Sequence, residues 1–285
     1  MTARVVFGLV PQVGPSAGAH VDALLAWVGA RASLEVARVE APSYDALAER
    51  LEAGEVDLAW LPPLVFTRLV ETGFAHEVAT GDRGPGDSYV SVLVARAGAT
   101  WRRAAELSGV SVAWVDPLSA SGYVVPRLRM VHAGVDLDRA FASERFTGSH
   151  AGVLRAVRDG VVDVGATFVG FGRGGVLARG AFDDAGVSAD DFVVVDSFGG
   201  LPPDVIAARA ALPKQVKVAF ADALVAAADD ADAREHLVAF GVNRFDRRPV
   251  MGHDALAAEV RAARDSGKTI AAAAFLEPPD DSDAT

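Results

Sequence analysis

The residues best placed to do chemistry lie in one short stretch, Val110 to Pro126, reading VSVAWVDPLSASGYVVP. Val110 to Val115 reads as a buried strand that Asp116-Pro117 ends. Ser119-Ala120-Ser121-Gly122 then leads to Tyr123, where a helical pattern opens and runs to His132-Ala133-Gly134. A helix start carries main-chain N–H groups without intrahelical partners and the positive end of the helix dipole. Hydroxyls set just before it add donors aimed at the same point, so the stretch has the makings of an oxyanion cradle. The plainer role for Ser119 or Ser121 is to cap the helix that follows.

Other chemistry-bearing residues fit their motifs less well. Gly14-Pro15-Ser16-Ala17-Gly18 matches the G-x-S-x-G pattern that presents a nucleophilic serine. Ser16, however, follows the first strand of the chain, and no earlier strand supplies an oxyanion loop, so a serine hydrolase ranks last among the readings. Gly170, Gly172 and Gly175 fit G-x-G-x-x-G, but the pattern after them, Val176 to Ala181, is too short for a dinucleotide-binding helix and is interrupted by Gly180. His20, His76, His132, His150, His236 and His253 show no metal-ligand spacing, and the chain has no cysteine. Asp57 and Asp163 each stand second in a strand pattern, where turn or edge contacts explain them. No catalytic residue, metal site or cofactor is expected, and the protein reads as a binder and not an enzyme.

A net charge of −11 argues against nucleic acid or an anionic membrane surface as partner, because the overall field repels phosphate backbones. An anionic ligand therefore needs a locally shaped site. With 51% hydrophobic residues in 285, the chain can bury one large or two smaller cores. No apolar run is long enough to span a bilayer. MTARVVFGLVPQ reads as a first strand and not as a signal-peptide core, so the expected location is periplasmic or cell-envelope if a leader was removed and cytoplasmic if the sequence is complete. EPPDDSDAT reads as an acidic frayed tail.

The elements that must position these residues alternate between strand and helix, the pattern of an α/β protein with largely parallel sheets. Strands are expected at Val5 to Val10, Leu34 to Val39, Val56 to Leu61, Tyr89 to Arg96, Val110 to Val115 and Phe192 to Phe198. Helices are expected at about Ala19 to Ala30, from Ser43-Tyr44 to Gly54, at Leu64 to Glu71 and at Trp101 to Leu107. Ala-rich helices follow at Val216 to Ala228, Ala233 to Phe240, Leu256 to Ala263 and Ile270 to Phe275. The chain also repeats itself. Aligning Gly54 with Gly160 places Asp57 on Asp163, Leu47 on Val153 and Tyr44 on His150; aligning the ends of the strands at Val10 and Val115 places Ser16 on Ser121. Two related lobes are expected, 1–90 with 197–285 and 91–196, with Tyr89 to Arg96 and Phe192 to Phe198 as hinge crossings. Ligands of open α/β sheets bind beyond the carboxyl ends of the strands, so Ser16, Tyr44, Ser121 and His150 would face one cleft.

Several segments together resemble the phosphate/phosphite/phosphonate substrate-binding proteins of ABC transporters, which have the type II periplasmic-binding-protein fold. They are SYDALAERLEAGEVDLAWLPP, YVSVLVAR, VAWVDPLSASGYVVPRL, FTGSHAGVLRAVRDGVVDVGAT and SFGGLPPDVIAARAALP. The resemblance runs from FGLVPQ to about Pro213 and rests on the DP-x-S-x-SGY element followed by the GSH helix. It implies an oxyanion held by Ser119, Ala120, Ser121 and Gly122, by the phenols of Tyr44 and Tyr89, and by His150; Tyr89 comes from the resemblance alone. It also implies two lobes that close on a small phosphorus oxyanion for an ABC permease, and a monomer is expected. The alternative is a cytosolic ligand sensor or enzyme on the same scaffold. Ala120 stands where the family often has a hydroxyl, which removes one donor. Phe168-Val169-Gly170 offers no carboxylate for an ammonium group, which points to a small or apolar-tailed ligand and away from 2-aminoethylphosphonate.

Overall fold

A computed structural model describes residues 3–10, 17–82, 88–171, 177–199, 201–247, 251–265 and 276. The strands are β1 (Ala3–Leu9), β2 (Leu34–Glu40), β3 (Leu58–Leu61), β4 (Ala75–Asp82), β5 (Ser88–Arg96), β6 (Val110–Trp114), β7 (Phe141–Phe146), β8 (Val164–Phe171), β9 (Leu177–Gly180), β10 (Phe192–Phe198), β11 (Val205–Arg209) and β12 (Arg244–Asp246). The α-helices are α1 (Ala17–Ala32), α2 (Tyr44–Glu52), α3 (Pro63–Glu71), α4 (Val125–His132), α5 (Leu137–Ala140), α6 (His150–Arg158), α7 (Phe182–Ala185), α8 (Lys214–Ala226), α9 (Ala231–Arg234) and α10 (His253–Asp265).

The strands form two sheets with one topology. The first runs β12-β4-β11-β3-β1-β2, the second β10-β5-β8-β6-β7 with β9 against β8. In each, two parallel pairs (β2-β1-β3 and β7-β6-β8) meet a strand that runs antiparallel to them, β11 in the first and β5 in the second. Side chains from both sheets enter one apolar cluster, which holds Leu47, Leu64 and Ala207 together with Leu93, Trp114, Leu128 and Leu256. α10 lies across the join. Its Glu259 pairs with Arg129 of α4, and its Arg261 lies 2.5 Å from Glu71 of α3.

The internal repeat has a physical basis in both sheets. Asp57 Oδ2 accepts the Val6 N–H at 2.8 Å, and Asp163 Oδ2 accepts the Ser111 N–H at 2.8 Å. In each case the aspartate also donates its own main-chain N–H back to that residue's carbonyl. The two aspartates are thus register pins between neighbouring parallel strands. Close helix packing is solved by the same pair of small residues in opposite order. Gly8 pairs with Ala59 in the first sheet and Ala113 with Gly165 in the second. A Cβ on Gly8 would lie 2.6 Å from Leu47 Cδ1, and one on Gly165 would lie 2.5 Å from Val153 Cγ1, the repeat partner of Leu47.

Several expectations need correction. The predicted helix at Trp101 to Leu107 is only a single three-ten turn, Ala104–Glu106. Glu106 accepts the Arg102 N–H, and the Arg102 guanidinium donates to the carbonyls of Ala99 and Trp101, so local side-chain bonds displace the helical ladder. Tyr89 to Arg96 and Phe192 to Phe198 do not stand apart as connecting strands. They are β5 and β10, paired antiparallel inside the second sheet, and the chain changes sheets outside them. β11 went unseen because VIAARAAL is rich in alanine, which carries no strand signature. The expected helix at Ile270 to Phe275 and the glycine loop at 172–176 lie outside the described residues.

Candidate functional site

The SASG stretch folds as one π-helical turn, Ala120–Val124, set between β6 and α4. Val124 N–H reaches the Ser119 carbonyl at 3.0 Å, and Val125 N–H reaches that of Ala120. Widened turns of this kind splay main-chain groups out of the usual ladder and recur at functional sites. Gly122 allows the turn to lie against β6. Its carbonyl accepts the Val115 N–H at 3.2 Å, and a Cβ there would sit 2.3 Å from Val115 Cγ2. Ser119 Oγ accepts the Gly122 N–H at 3.1 Å, which is the capping role. A hydroxyl that accepts still has its own hydrogen to donate, so the cap does not exclude ligand contact. Ser119, Ala120 and Ser121 are all buried.

The loop before α6 is laced to the end of β6. Thr147 N–H reaches the Trp114 carbonyl at 2.9 Å and Gly148 N–H the Val115 carbonyl at 2.8 Å. Ser149 caps α6 by accepting the Gly152 N–H, and His150 becomes the first residue of the helix. Ser43 caps α2 in the same way through Ala46, with Tyr44 in the position of His150. Burial pushes the His150 imidazole down to about 3, so the ring is neutral at physiological pH. Its Nδ1 lies 3.1 Å from Thr167 Oγ1, and the Phe168 ring meets it edge-on at 4.8 Å between centroids.

Asp116 lies near both halves of the molecule. Its carboxylate accepts the Leu118 N–H at 2.8 Å, and the main-chain N–H of Tyr44 is close enough to favour its charged form. Burial raises the Asp116 carboxyl above its usual range, with Asp45 adding to the rise and the two N–H donors opposing it. Tyr44 packs against the apolar cluster that contains Leu118 and Ala120.

The candidate residues Ser119, Ala120, Ser121, Gly122, His150 and Tyr44 thus sit on elements that adjoin one another. Tyr89 lies in β5 opposite Gly170, and its side chain falls outside the described set, as does Ser16 altogether. Two buried hydroxyls escaped the sequence reading. Ser91 on β5 donates to the Ser121 carbonyl at 2.6 Å, and Thr167 on β8 meets His150. Each is fully buried. A lone serine or threonine inside an apolar strand pattern was the available sign, since buried polar groups need partners.

Residues 7–248 match the family described as ABC transporter, phosphonate, periplasmic substrate-binding protein. The chain belongs to this family. Members of the phosphonate-binding family are solute-binding proteins and not enzymes. One curated relative is the phosphate-import protein PhnD of Mycolicibacterium smegmatis, 29% identical over 162 residues. That match covers 53% of this chain and 50% of PhnD, so the chain spans about half the length of its curated relative. A binding-protein component of an ABC phosphonate transporter from Pseudomonas aeruginosa superposes with a TM-score of 0.78 at 18% identity, covering 97% of this chain and 94% of that one. PhnD1 of Prochlorococcus marinus (MIT 9301), solved in complex with methylphosphonate, gives 0.76 at 15% identity over 94% and 100%. These likenesses establish the two-lobed type II periplasmic-binding-protein fold. No helix among the described residues is long and apolar enough to cross a membrane.

Proposed function

We propose that the protein captures a small phosphorus oxyanion, a phosphonate, phosphite or phosphate, between two closing lobes and delivers it to an ABC permease at the cell envelope. The lobes comprise 1–90 with 197–285 and 91–196, joined by a two-segment hinge. The protein acts as a monomer. Ser119, Ser121, the Gly122 turn and His150 hold the oxyanion from one lobe, and Tyr44 meets it from the other. Tyr89 contributes a second phenol.

The observation offered for this reading is that the Tyr44 main-chain N–H lies near the Asp116 carboxylate. It brings the start of α2 in one lobe against the loop that leads to Ser119 in the other, and the repeat partner of α2, α6, is tied to the same loop by Thr147 and Gly148. The donors offered are hydroxyls, main-chain N–H groups and a neutral imidazole. They suit an anion recognised by geometry with little added charge. The burial of Ser119, Ala120 and Ser121 is compatible with a site that ligands reach when the lobes part. Closure then follows from the ligand's differential affinity for the closed form.

A thermal-shift panel of methylphosphonate, phosphite and phosphate tests the proposal. At a concentration of 100 times Kd, a ligand adds about 2.7 kcal/mol to stability. At least one of the three should raise Tm in a dose-dependent manner. Flat curves for all three to millimolar concentration would refute the assignment.

A further inference from the structure

Thr167 is fully buried, and its hydroxyl has His150 Nδ1, at 3.1 Å, as its only polar partner among the described residues. A hydroxyl has one hydrogen to place and two lone pairs to fill. Buried donors are left orphaned less often than acceptors that keep a spare lone pair. If Nδ1 carried the ring proton, it would donate to Oγ1, and the threonine hydrogen would have no acceptor. If Nε2 carries it, Oγ1–H donates to Nδ1, and the one hydrogen left over is the Nε2–H of a ring that is only partly buried, not the hydroxyl of a fully buried threonine. The neutral ring has only these two forms.

We infer that Thr167 is a positioning residue that fixes His150 as the Nε2–H tautomer, so that the free ring nitrogen is a hydrogen-bond donor and never an acceptor. Phe168, edge-on to the ring, holds its plane while Thr167 sets its hydrogen. The consequence for ligands rests on the function proposed above. At this position the site takes an ionised oxyanion oxygen and rejects a group that presents only O–H or N–H hydrogen. Loss of the tautomer lock leaves a fraction of rings with a lone pair facing the anion.

The test uses the full chain labelled with ¹⁵N-histidine, with His150 assigned by comparison with His150→Gln. Two-bond ¹⁵N–¹H correlation of the ligand-free protein should give the Nε2–H pattern for His150, kept in Thr167→Ser and shifted to a mixture in Thr167→Val. Methylphosphonate affinity should fall about tenfold in Thr167→Val and by less than about twofold in Thr167→Ser, the loss of about one hydrogen bond's ordering. Thr167→Ala serves the same comparison if the valine variant does not fold. An Nδ1–H pattern in the parent protein overturns the inference, as does an unchanged pattern in Thr167→Val, or a changed pattern with unchanged affinity. If the parent protein binds none of methylphosphonate, phosphite and phosphate, the functional proposal fails, while the spectra still decide the role of Thr167.

Discussion

Replacing Gly122 with alanine puts a methyl group where β6 already stands. The new Cβ would lie 2.3 Å from Val115 Cγ2, 2.5 Å from Val115 Cβ and 2.9 Å from Ser119 Oγ. Ordinary carbon contacts are about 3.5–4.0 Å, so the turn or the strand must give by about 1 Å. Val115 is itself buried and cannot swing into solvent. A shift of that size lengthens the Val115 N–H to Gly122 bond and the Ser119 cap, at 3.2 and 3.1 Å. Overpacking costs about 1–3 kcal/mol and a lost cap about 1 kcal/mol, so Gly122→Ala should destabilise by about 2–4 kcal/mol in urea unfolding. Val115→Ala removes the nearer of the two clashing carbons and costs about 1–2 kcal/mol alone through lost burial. The double variant should then cost at least about 1 kcal/mol less than the sum of the singles. Gly199→Ala, where a Cβ meets nothing within 4 Å, is the control and should stay within about 0.5 kcal/mol. A Gly122→Ala loss below about 0.5 kcal/mol, or strict additivity with Val115→Ala, would show that the turn is not pinned by this approach.

The remaining predictions concern the pH dependence, the register pins and the helix across the join. His150 is held down to about 3 when folded and lies near 6.5 when unfolded, so the unfolded chain binds more protons between those values. Stability from this group is therefore complete above about pH 6.5 and lost as pH falls, by at most about 2 kcal/mol at pH 5, since the residue keeps some solvent contact. His150→Gln should flatten that part of the curve between pH 7 and 5, and an equal pH dependence in both proteins would refute the buried neutral ring. Asp57→Ala strands the Val6 N–H and removes the partner of Arg209 at 2.6 Å, whereas Asp163→Ala strands groups at a more exposed site. The unfolding free energy should fall by about 2–3 kcal/mol for the first and by about 1 kcal/mol for the second, and a reversed order would contradict their assigned roles. Glu259→Ala and Glu71→Ala each remove a half-exposed ion pair of α10 and should cost less than about 1 kcal/mol; a larger loss in chemical denaturation would mean that α10 does more than these pairs.

The parts legible in the sequence were those where periodicity and caps agreed. Ser43-Tyr44 and Ser149-His150 open matching helices, and Gly54 and Gly160 end them with positive φ. The equal spacing between these starts and ends is the repeat in the sequence. β4, β7 and β12 were missed because each carries several charged or polar residues in a short run, and β11 because alanine suits helix and strand alike. Among the candidate residues, Ser119 to Gly122 could be picked out together because they are contiguous in the chain. Asp116 and Tyr44, far apart in the chain, come near each other only through the packing of the two sheets, and neither spacing nor residue type announces such an approach. Thr167 and Ser91 were hidden for a related reason. Each is a polar residue between apolar or small neighbours on its strand, and its partner is fixed by which elements become neighbours.

A crystal structure of the protein grown with saturating methylphosphonate tests the central claim most directly. The account predicts density for the phosphonate between the start of α2 and the SASG turn, its oxygens within hydrogen-bond distance of Ser119 or Ser121, the Gly122 turn, His150 Nε2 and the Tyr44 phenol. A vacant gap between the lobes at saturating ligand, or the phosphonate bound elsewhere with these groups untouched, would contradict it.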